Sequence, residues 1–208
     1  MNSIEGFILV GGQSRRMGTD KSRLTIDGQS FVERIAGELA GVTNSQKIVG
    51  GHPLAAGHAL ESVPDAFPGW GALGGVHAAL SACLTPWALI VACDFPFVTS
   101  QLFARLAGLR SNFEAVAPIQ PDGIPQPLCA LYRREPCLKQ AEQFIKSGER
   151  KPVALLQSLQ TRWVSYEELS DLDGANHFFE NINTPDDYDR LGEKGFTTGD
   201  AAMKSDKN

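Results

Sequence analysis

Residues 4–22 read IEGFILVGGQSRRMGTDKS and contain the feature that decides the fold. Ile4–Val10 is short, apolar and rich in β-branched residues, which is typical of a buried strand in a parallel sheet. Two glycines follow at once, and then arginines and a lysine at residues 15, 16 and 21. The stretch therefore predicts a first strand that leads directly into a glycine-rich, cationic loop.

The rest of the chain alternates predicted strands and helices. Ser30 and Glu33 form a capping-box pattern before a helix, and Trp87–Cys93 is a second continuous apolar run of the kind found in central parallel strands. Further elements are predicted in chain order: strands at 47–50, 114–118, 128–132, 162–166 and 178–182, and helices at 75–84, 100–109, 135–146 and 153–159. Such alternation indicates an α/β fold with a mostly parallel central sheet.

The domain organisation is expected to be simple. The 208 residues contain no internal repeat and no evident linker, so we expect one domain over residues 1–196. Residues 197–208 are small and polar, and we expect a disordered tail there.

Composition excludes several classes of function. The net charge of −5 argues against a general nucleic-acid-binding protein. Four cysteines without a C-x-x-C pair and four scattered histidines lack the spacing of a zinc site. The apolar runs are shorter than the ~20 residues of a membrane helix, and Phe7–Val10 is too short for a signal-peptide core. We expect a cytoplasmic protein that does not bind membranes.

The loop after the first strand has the chemistry of a phosphate site. Gly11 and Gly12 allow a ligand to approach main-chain N–H groups, and Arg15, Arg16 and Lys21 would neutralise several phosphate oxygens. In a parallel sheet, ligands bind beyond the carboxyl ends of the strands, which is where this loop begins. The spacing fits neither the Walker pattern nor the dinucleotide fingerprint.

Residues 9–21, LVGGQSRRMGTDK, resemble the L-x-G-G-x-S-x-R-M-G-x-D-K motif of the molybdenum cofactor guanylyltransferases, the MobA family. The resemblance extends over about residues 4–191. It implies a three-layer, Rossmann-like nucleotidyltransferase fold, in which this loop wraps the triphosphate of GTP.

Individual nucleotide contacts are implied by the same resemblance. Leu9, Val10, Gly11, Gly12 and Lys21 correspond to nucleotide-binding positions, with Lys21 on phosphate oxygens and Arg15 also catalytic. Gly12 favours guanine, because the related cytidylyltransferases usually have alanine there.

A second segment, Asp65 and residues 68–75, resembles the D…G-P-L-x-G part of the family pattern, with Asp65 at a nucleotide contact. Two positions depart from the pattern. Ala72 replaces a proline, and Gly50 and Gly51 stand where guanylyltransferases often have an asparagine.

Asp94 ends the apolar run at 87–93, so its carboxylate is expected at the ligand edge of the sheet. The sequence Asp94-Phe95-Pro96 resembles the family's D-x-P, whose aspartate binds nucleotide and Mg²⁺ and is needed for transfer. Magnesium bound to phosphates usually takes one or two carboxylates, so one aspartate is a sufficient protein ligand.

Residues 181–187, NINTPDD, resemble the family's closing motif N-[IV]-N-T-P-E-[DE]. On a strand, Asn181 and Asn183 would point to the same face, and the resemblance assigns them to the acceptor. Thr184-Pro185 is also a well-formed helix start. Residues 126–133 resemble the segment that shapes the acceptor half of the cleft.

The implied function is transfer of GMP from GTP to molybdopterin, with or without molybdenum, and release of pyrophosphate. The partners implied are GTP, this acceptor and transient contacts with molybdoenzymes or molybdopterin-delivering proteins. Two alternatives stay open: a cytidylyltransferase or sugar-phosphate nucleotidyltransferase of the same fold, and a non-catalytic nucleotide-binding adaptor.

Overall fold

A computed structural model describes residues 3–10, 24–50, 60–193 and 195–200. Ten strands and six helices occupy these ranges, in this chain order: β1 Ile4–Leu9, β2 Leu24–Ile26, β3 Gln29–Ser30, α1 Phe31–Ala40, β4 Ser45–Val49, β5 Glu61–Val63, α2 Gly71–Ala82, β6 Trp87–Ala92, α3 Ser100–Gly108, β7 Ala115–Pro118, β8 Cys129–Arg133, α4 Arg134–Ser147, α5 Pro152–Gln157, β9 Thr161–Val164, α6 Pro185–Glu193 and β10 Thr198–Asp200.

The central sheet has seven strands in the order β5-β4-β1-β6-β8-β7-β9. Strands β4, β1 and β6 are parallel neighbours, with Ile8 opposite Ile48 on one side and Val91 on the other. Only β8 is reversed, since it pairs antiparallel with both β6 and β7. The prediction of a mostly parallel sheet is confirmed, and the carboxyl ends of six strands share one edge, which we call the ligand edge.

Both faces of this sheet are covered, as the apolar runs predict. Side chains of β1 alternate, so that Ile8 packs with α1 and α3 on one face while Phe7 packs with α2, α4 and α5 on the other. Phe7 and Ile8 are both fully buried. The result is a three-layer arrangement in which period-2 alternation sends successive side chains into two separate cores.

Helix boundaries follow local chemistry. The Ser30 hydroxyl accepts from the Glu33 main-chain N–H at 3.2 Å and the Glu33 carboxylate accepts from the Ser30 N–H at 2.6 Å, which confirms the predicted capping box. Helix α4, the longest in the described ranges, ends at Gly148, which takes the left-handed conformation (φ +87°).

A smaller sheet, in the order β10-β2-β3, lies outside the seven-stranded one. Strands β2 and β3 form a hairpin whose turn residues Asp27 and Gly28 both have positive φ, +51° and +77°. Its core contains Leu24, Ile26 and Phe31 together with two residues from the end of the chain, Ile182 and Leu191.

Two predictions were wrong. Residues 178–182 form turns and irregular chain instead of a strand, because their main-chain bonds go to local turns and to Asp94 and make no ladder. The predicted tail began too early, since Thr198–Asp200 pairs with β2 as an antiparallel strand. Residues 201–208 lie outside the described ranges.

Candidate nucleotide and acceptor site

The ligand edge gathers several of the predicted site residues. Leu9 is the last residue of β1 and Val10 follows it, Gly50 follows β4, and Asp65 and Asp94 lie two residues beyond β5 and β6. These four strands are adjacent. We call Leu9, Val10, Gly50, Asp65 and Asp94 the strand-end region.

Main-chain hydrogen bonds fix the strand-end region. The Val10 N–H donates to the Val49 carbonyl at 2.9 Å, and the Cys93 N–H donates to the Leu9 carbonyl at 3.0 Å. The sheet ladder thus continues to the last residue before the predicted phosphate loop. Of the predicted site residues, Gly11, Gly12, Arg15 and Lys21 lie outside the described ranges, as does Arg16.

Gly50 departs from the pattern that the resemblance implied, and its backbone explains the glycine. It adopts φ +74°, and a Cβ at this position would lie 2.5 Å from the Val10 carbonyl oxygen. Its N–H donates to the Val63 carbonyl at 3.1 Å, which joins the ends of β4 and β5. Any side chain here would meet main-chain atoms that cannot move without displacing Val10.

Asp65 has a structural role in the chain's turn into α2. One of its carboxylate oxygens accepts from the Phe67 N–H at 2.8 Å, the geometry of an Asx turn. A Cβ on Gly74 would lie 3.3 Å from the same oxygen. The half-buried Asp65 therefore lies against the first turn of α2 at the ligand edge.

No sequence pattern indicated Arg150, which lies beyond α4 and packs on the same loop. Its guanidinium carbon lies 4.8 Å from the centre of the Trp70 ring, and its Nη1 donates to the Gly69 carbonyl at 3.1 Å. No spacing rule connects residues 81 positions apart, so only the fold reveals this contact.

Asp94 joins the strand-end region to the end of the chain. Its carbonyl oxygen accepts from the Ile182 N–H at 3.2 Å. Ile182 is 3 % exposed, while Asn181 and Asn183 on either side of it are exposed. The two asparagines therefore flank an anchored residue next to Asp94, although the segment is not a strand.

The helix start predicted after these asparagines is confirmed. The Thr184 hydroxyl accepts from the Asp187 N–H at 3.1 Å, and the Asp187 carboxylate accepts from the N–H groups of Asn183 and Thr184 at 3.1 and 2.9 Å. Burial raises the pKa of Asp187, but these hydrogen bonds and nearby Arg190 outweigh it, so the net pKa is lowered. We call residues 181–193 with β2, β3 and β10 the α6 region.

The reversed strand β8 brings a further segment to the ligand edge. The Ala92 N–H donates to the Leu128 carbonyl at 2.8 Å, and the Gln126 N–H donates to the Pro118 carbonyl at 2.9 Å. Gln126 is 8 % exposed. Residues 126–128 thus lie beside the end of β6. This strand ends two residues before Asp94.

Nucleophilic thiol chemistry has no support at this edge. All four cysteines are buried thiols outside any disulfide, and burial raises the pKa of the Cys129 thiol to about 12. Across the described ranges, His, Cys, Asp and Glu side chains form no cluster of three that would hold a metal ion. No helix in the same ranges is long and apolar enough to cross a membrane.

A three-layer α/β fold with glycines and acidic residues at the carboxyl edge of a mostly parallel sheet defines a nucleotide-binding class of protein. Residues 6–163 match the model of the MobA-like NTP transferase domain, and the chain belongs to that family.

Similarity to individual relatives agrees with this family membership. The chain is 34 % identical to a probable molybdenum cofactor guanylyltransferase of Pelotomaculum thermopropionicum over 88 % of each chain. It is 31 % identical to the molybdenum cofactor guanylyltransferase of Desulfosudis oleivorans, over 91 % of this chain and 95 % of the relative.

Among solved structures, the molybdopterin-guanine dinucleotide biosynthesis protein A of Archaeoglobus fulgidus is similar with a TM-score of 0.77 and 28 % identity, covering 92 % of this chain and 98 % of that one. A 2-C-methyl-D-erythritol 4-phosphate cytidylyltransferase of Thermus thermophilus has a TM-score of 0.64 at 15 % identity over 87 % of this chain and 93 % of its own, so it shares the fold.

Proposed function

We propose that this protein transfers GMP from GTP to molybdopterin and releases pyrophosphate. The observation that carries the proposal is the main-chain bond between Asp94 and Ile182. This bond joins the main chain at Asp94, the predicted metal ligand, to the residue between Asn181 and Asn183, which are predicted to bind the acceptor, and so supports the proposal. The names of the relatives from P. thermopropionicum and D. oleivorans support the same reaction.

The chemistry is substitution at the α-phosphorus of GTP. A terminal phosphate oxygen of the acceptor forms a new P–O bond there, the α–β bridging P–O bond breaks, and pyrophosphate leaves. A phosphate monoester is already anionic near neutral pH, so no strong general base is required. Alignment and charge neutralisation then supply the catalysis.

Each chain segment has a defined part in this reaction. In this proposal Leu9, Val10, Gly11, Gly12 and Asp65 bind the nucleotide, and Arg15 and Lys21 neutralise phosphate oxygens. Asn181 and Asn183 hold the acceptor, since amide groups offer both donors and acceptors.

Asp94 is the residue that would hold Mg²⁺. It supplies one carboxylate at the ligand edge, and magnesium on a triphosphate needs only one or two. Bound there, the ion would neutralise charge on the phosphates.

Pyrophosphate release with GTP, CTP and UTP in turn tests the proposal, with molybdopterin present or omitted. We expect release with GTP that requires both molybdopterin and Mg²⁺. Release with CTP or UTP would establish the alternative transferase, and binding without release would establish the adaptor. Asp94→Ala provides the inactive control, and Glu142→Gln, which removes an exposed carboxylate from α4, provides the active one.

A further inference from the structure

The Tyr188 hydroxyl connects α6 with the central strand β2 and the outer strand β10 of the small sheet. Its oxygen lies 3.2 and 2.6 Å from the main-chain nitrogen and oxygen of Thr25. It also lies 2.7 and 2.6 Å from those of Gly199. Thr25 and Gly199 face each other across β2 and β10. One hydroxyl can accept from both N–H groups and donate to either carbonyl, so Tyr188 satisfies groups of two strands at once.

Apolar packing reinforces this connection. The Tyr188 ring meets the fully buried Phe31 edge-on, with centroids 6.1 Å apart. The small core around them contains Leu24, Ile26, Ile182 and Leu191 and is separate from the two cores of the central sheet. Strand β2 and the end of the chain are therefore packed on each other as one unit.

One end of this unit is close in sequence to a predicted nucleotide residue, and the other contains a residue between the two predicted acceptor residues. Leu24 begins β2 three residues after Lys21, the predicted phosphate ligand. Ile182 lies between the two predicted acceptor ligands and is bonded to the Asp94 carbonyl. A displacement of α6 relative to β2 would thus change both sites together.

Resting on the proposed function, we propose that Tyr188 is a positioning residue that couples GTP binding to acceptor binding. Ordering of the small sheet by one substrate places the segment for the other, so each substrate tightens the binding of the other. Thermodynamic linkage requires the two factors to be equal. The Tyr188 hydroxyl carries this coupling without touching either substrate.

The test measures binding of α,β-methylene-GTP, whose α–β bond cannot be cleaved, by calorimetry with Mg²⁺ and with or without molybdopterin. In the parent protein we expect molybdopterin to tighten binding at least about fivefold, the lower end of typical coupling between sites. In Tyr188→Phe we expect this factor to fall below about twofold, with the affinity for the analogue alone changed less than about threefold.

Two further measurements separate coupling from general damage. Hydrogen exchange should accelerate at the Thr25 and Gly199 amides in Tyr188→Phe. Tyr166→Phe, which removes a tyrosine hydroxyl from the segment after β9, should retain the parent's coupling factor and the parent's exchange at both amides.

The outcomes are distinguishable. A parent protein that transfers GMP but shows no coupling, or a Tyr188→Phe variant that keeps the full factor, overturns the inference and leaves the proposed function standing. A parent protein that binds the analogue but never transfers GMP to molybdopterin overturns the proposed function itself.

Discussion

The strand-end region and the α6 region meet at Asp94 but are stabilised by different kinds of interaction. In the strand-end region, main-chain bonds of the central sheet place Leu9, Val10 and Gly50, and the contacts are backbone to backbone. In the α6 region, side chains hold the main chain in place, through the caps at Thr184 and Asp187 and the hydroxyl of Tyr188. The geometry of the strand-end region therefore comes from the fold itself, whereas that of the α6 region depends on particular side chains.

The largest expected effect comes from the residue where the two regions meet. Asp94→Ala should lower the turnover of GMP transfer by at least about 10²–10³, the usual cost of removing one placed charge stabiliser. The variant keeps the carbonyl that bonds Ile182, so the α6 region should stay in place. Steady-state kinetics with pyrophosphate detection measures the loss, and circular dichroism checks the fold. A variant with nearly the turnover of the parent protein would contradict the proposed role of Asp94 in GMP transfer.

The backbone character of the strand-end region is tested at Gly50. Gly50→Ala should lower the free energy of unfolding by about 2–3 kcal/mol, because it combines a left-handed backbone with a contact to the Val10 carbonyl. Gly148→Ala is the matched control, since its φ is +87° and nothing lies within 4 Å of an added Cβ. It should cost only about 1 kcal/mol. Urea unfolding of both variants gives the comparison, and equal losses would mean that the Val10 contact is unimportant.

The side-chain character of the α6 region is tested at its cap. Thr184→Ala should cost about 1 kcal/mol, the usual value for a lost N-cap, and should raise the KM for molybdopterin more than that for GTP. Thr99→Ala removes the cap of α3, where the Thr99 hydroxyl accepts from the Leu102 N–H at 3.3 Å. It should cost a similar amount of stability without the selective change in KM. A parallel rise of both KM values in Thr184→Ala would contradict the assignment.

The smallest effect is a dependence on pH. Because hydrogen bonds lower the pKa of Asp187 below its ordinary value of 3.8 in the folded protein, its stabilising contribution is present above that value and is lost as the pH falls through the folded pKa. Asp187→Asn should therefore be less stable than the parent by about 0.3–1 kcal/mol at pH 7, and the difference should shrink below about pH 4. Urea unfolding from pH 7 to pH 3 measures it. A difference independent of pH would show that the charge has no part.

The sequence predicts the two regions unequally well, for a physical reason. Continuous apolar runs such as Trp87–Cys93 can be buried only in the middle of a covered sheet, so β1, β6 and the position of Asp94 follow from them. Phe178 and Ile182 are equally apolar and are buried, but the main chain around them bonds within local turns and to the carbonyl of Asp94, beyond the end of β6. A short apolar segment by itself does not distinguish such a buried turn from a strand.

The small sheet escaped prediction because its strands are only two or three residues long. One signal for it was present: Asp27-Gly28 is a typical pair for a two-residue hairpin turn, and both residues have positive φ. The hydroxyl contacts of Tyr188 with Thr25 span 163 residues, and no local pattern could have indicated them.

The reversal of β8 within an otherwise parallel sheet has an evolutionary consequence. The connection at residues 119–128 enters the sheet from the ligand edge, and Ile124 at its tip is 54 % exposed. Connecting loops tolerate insertions far better than strands do. Proteins that evolve from this fold could therefore lengthen or exchange that hairpin to accommodate new acceptors. The strand-end region, which we propose binds the nucleoside triphosphate, would stay unchanged.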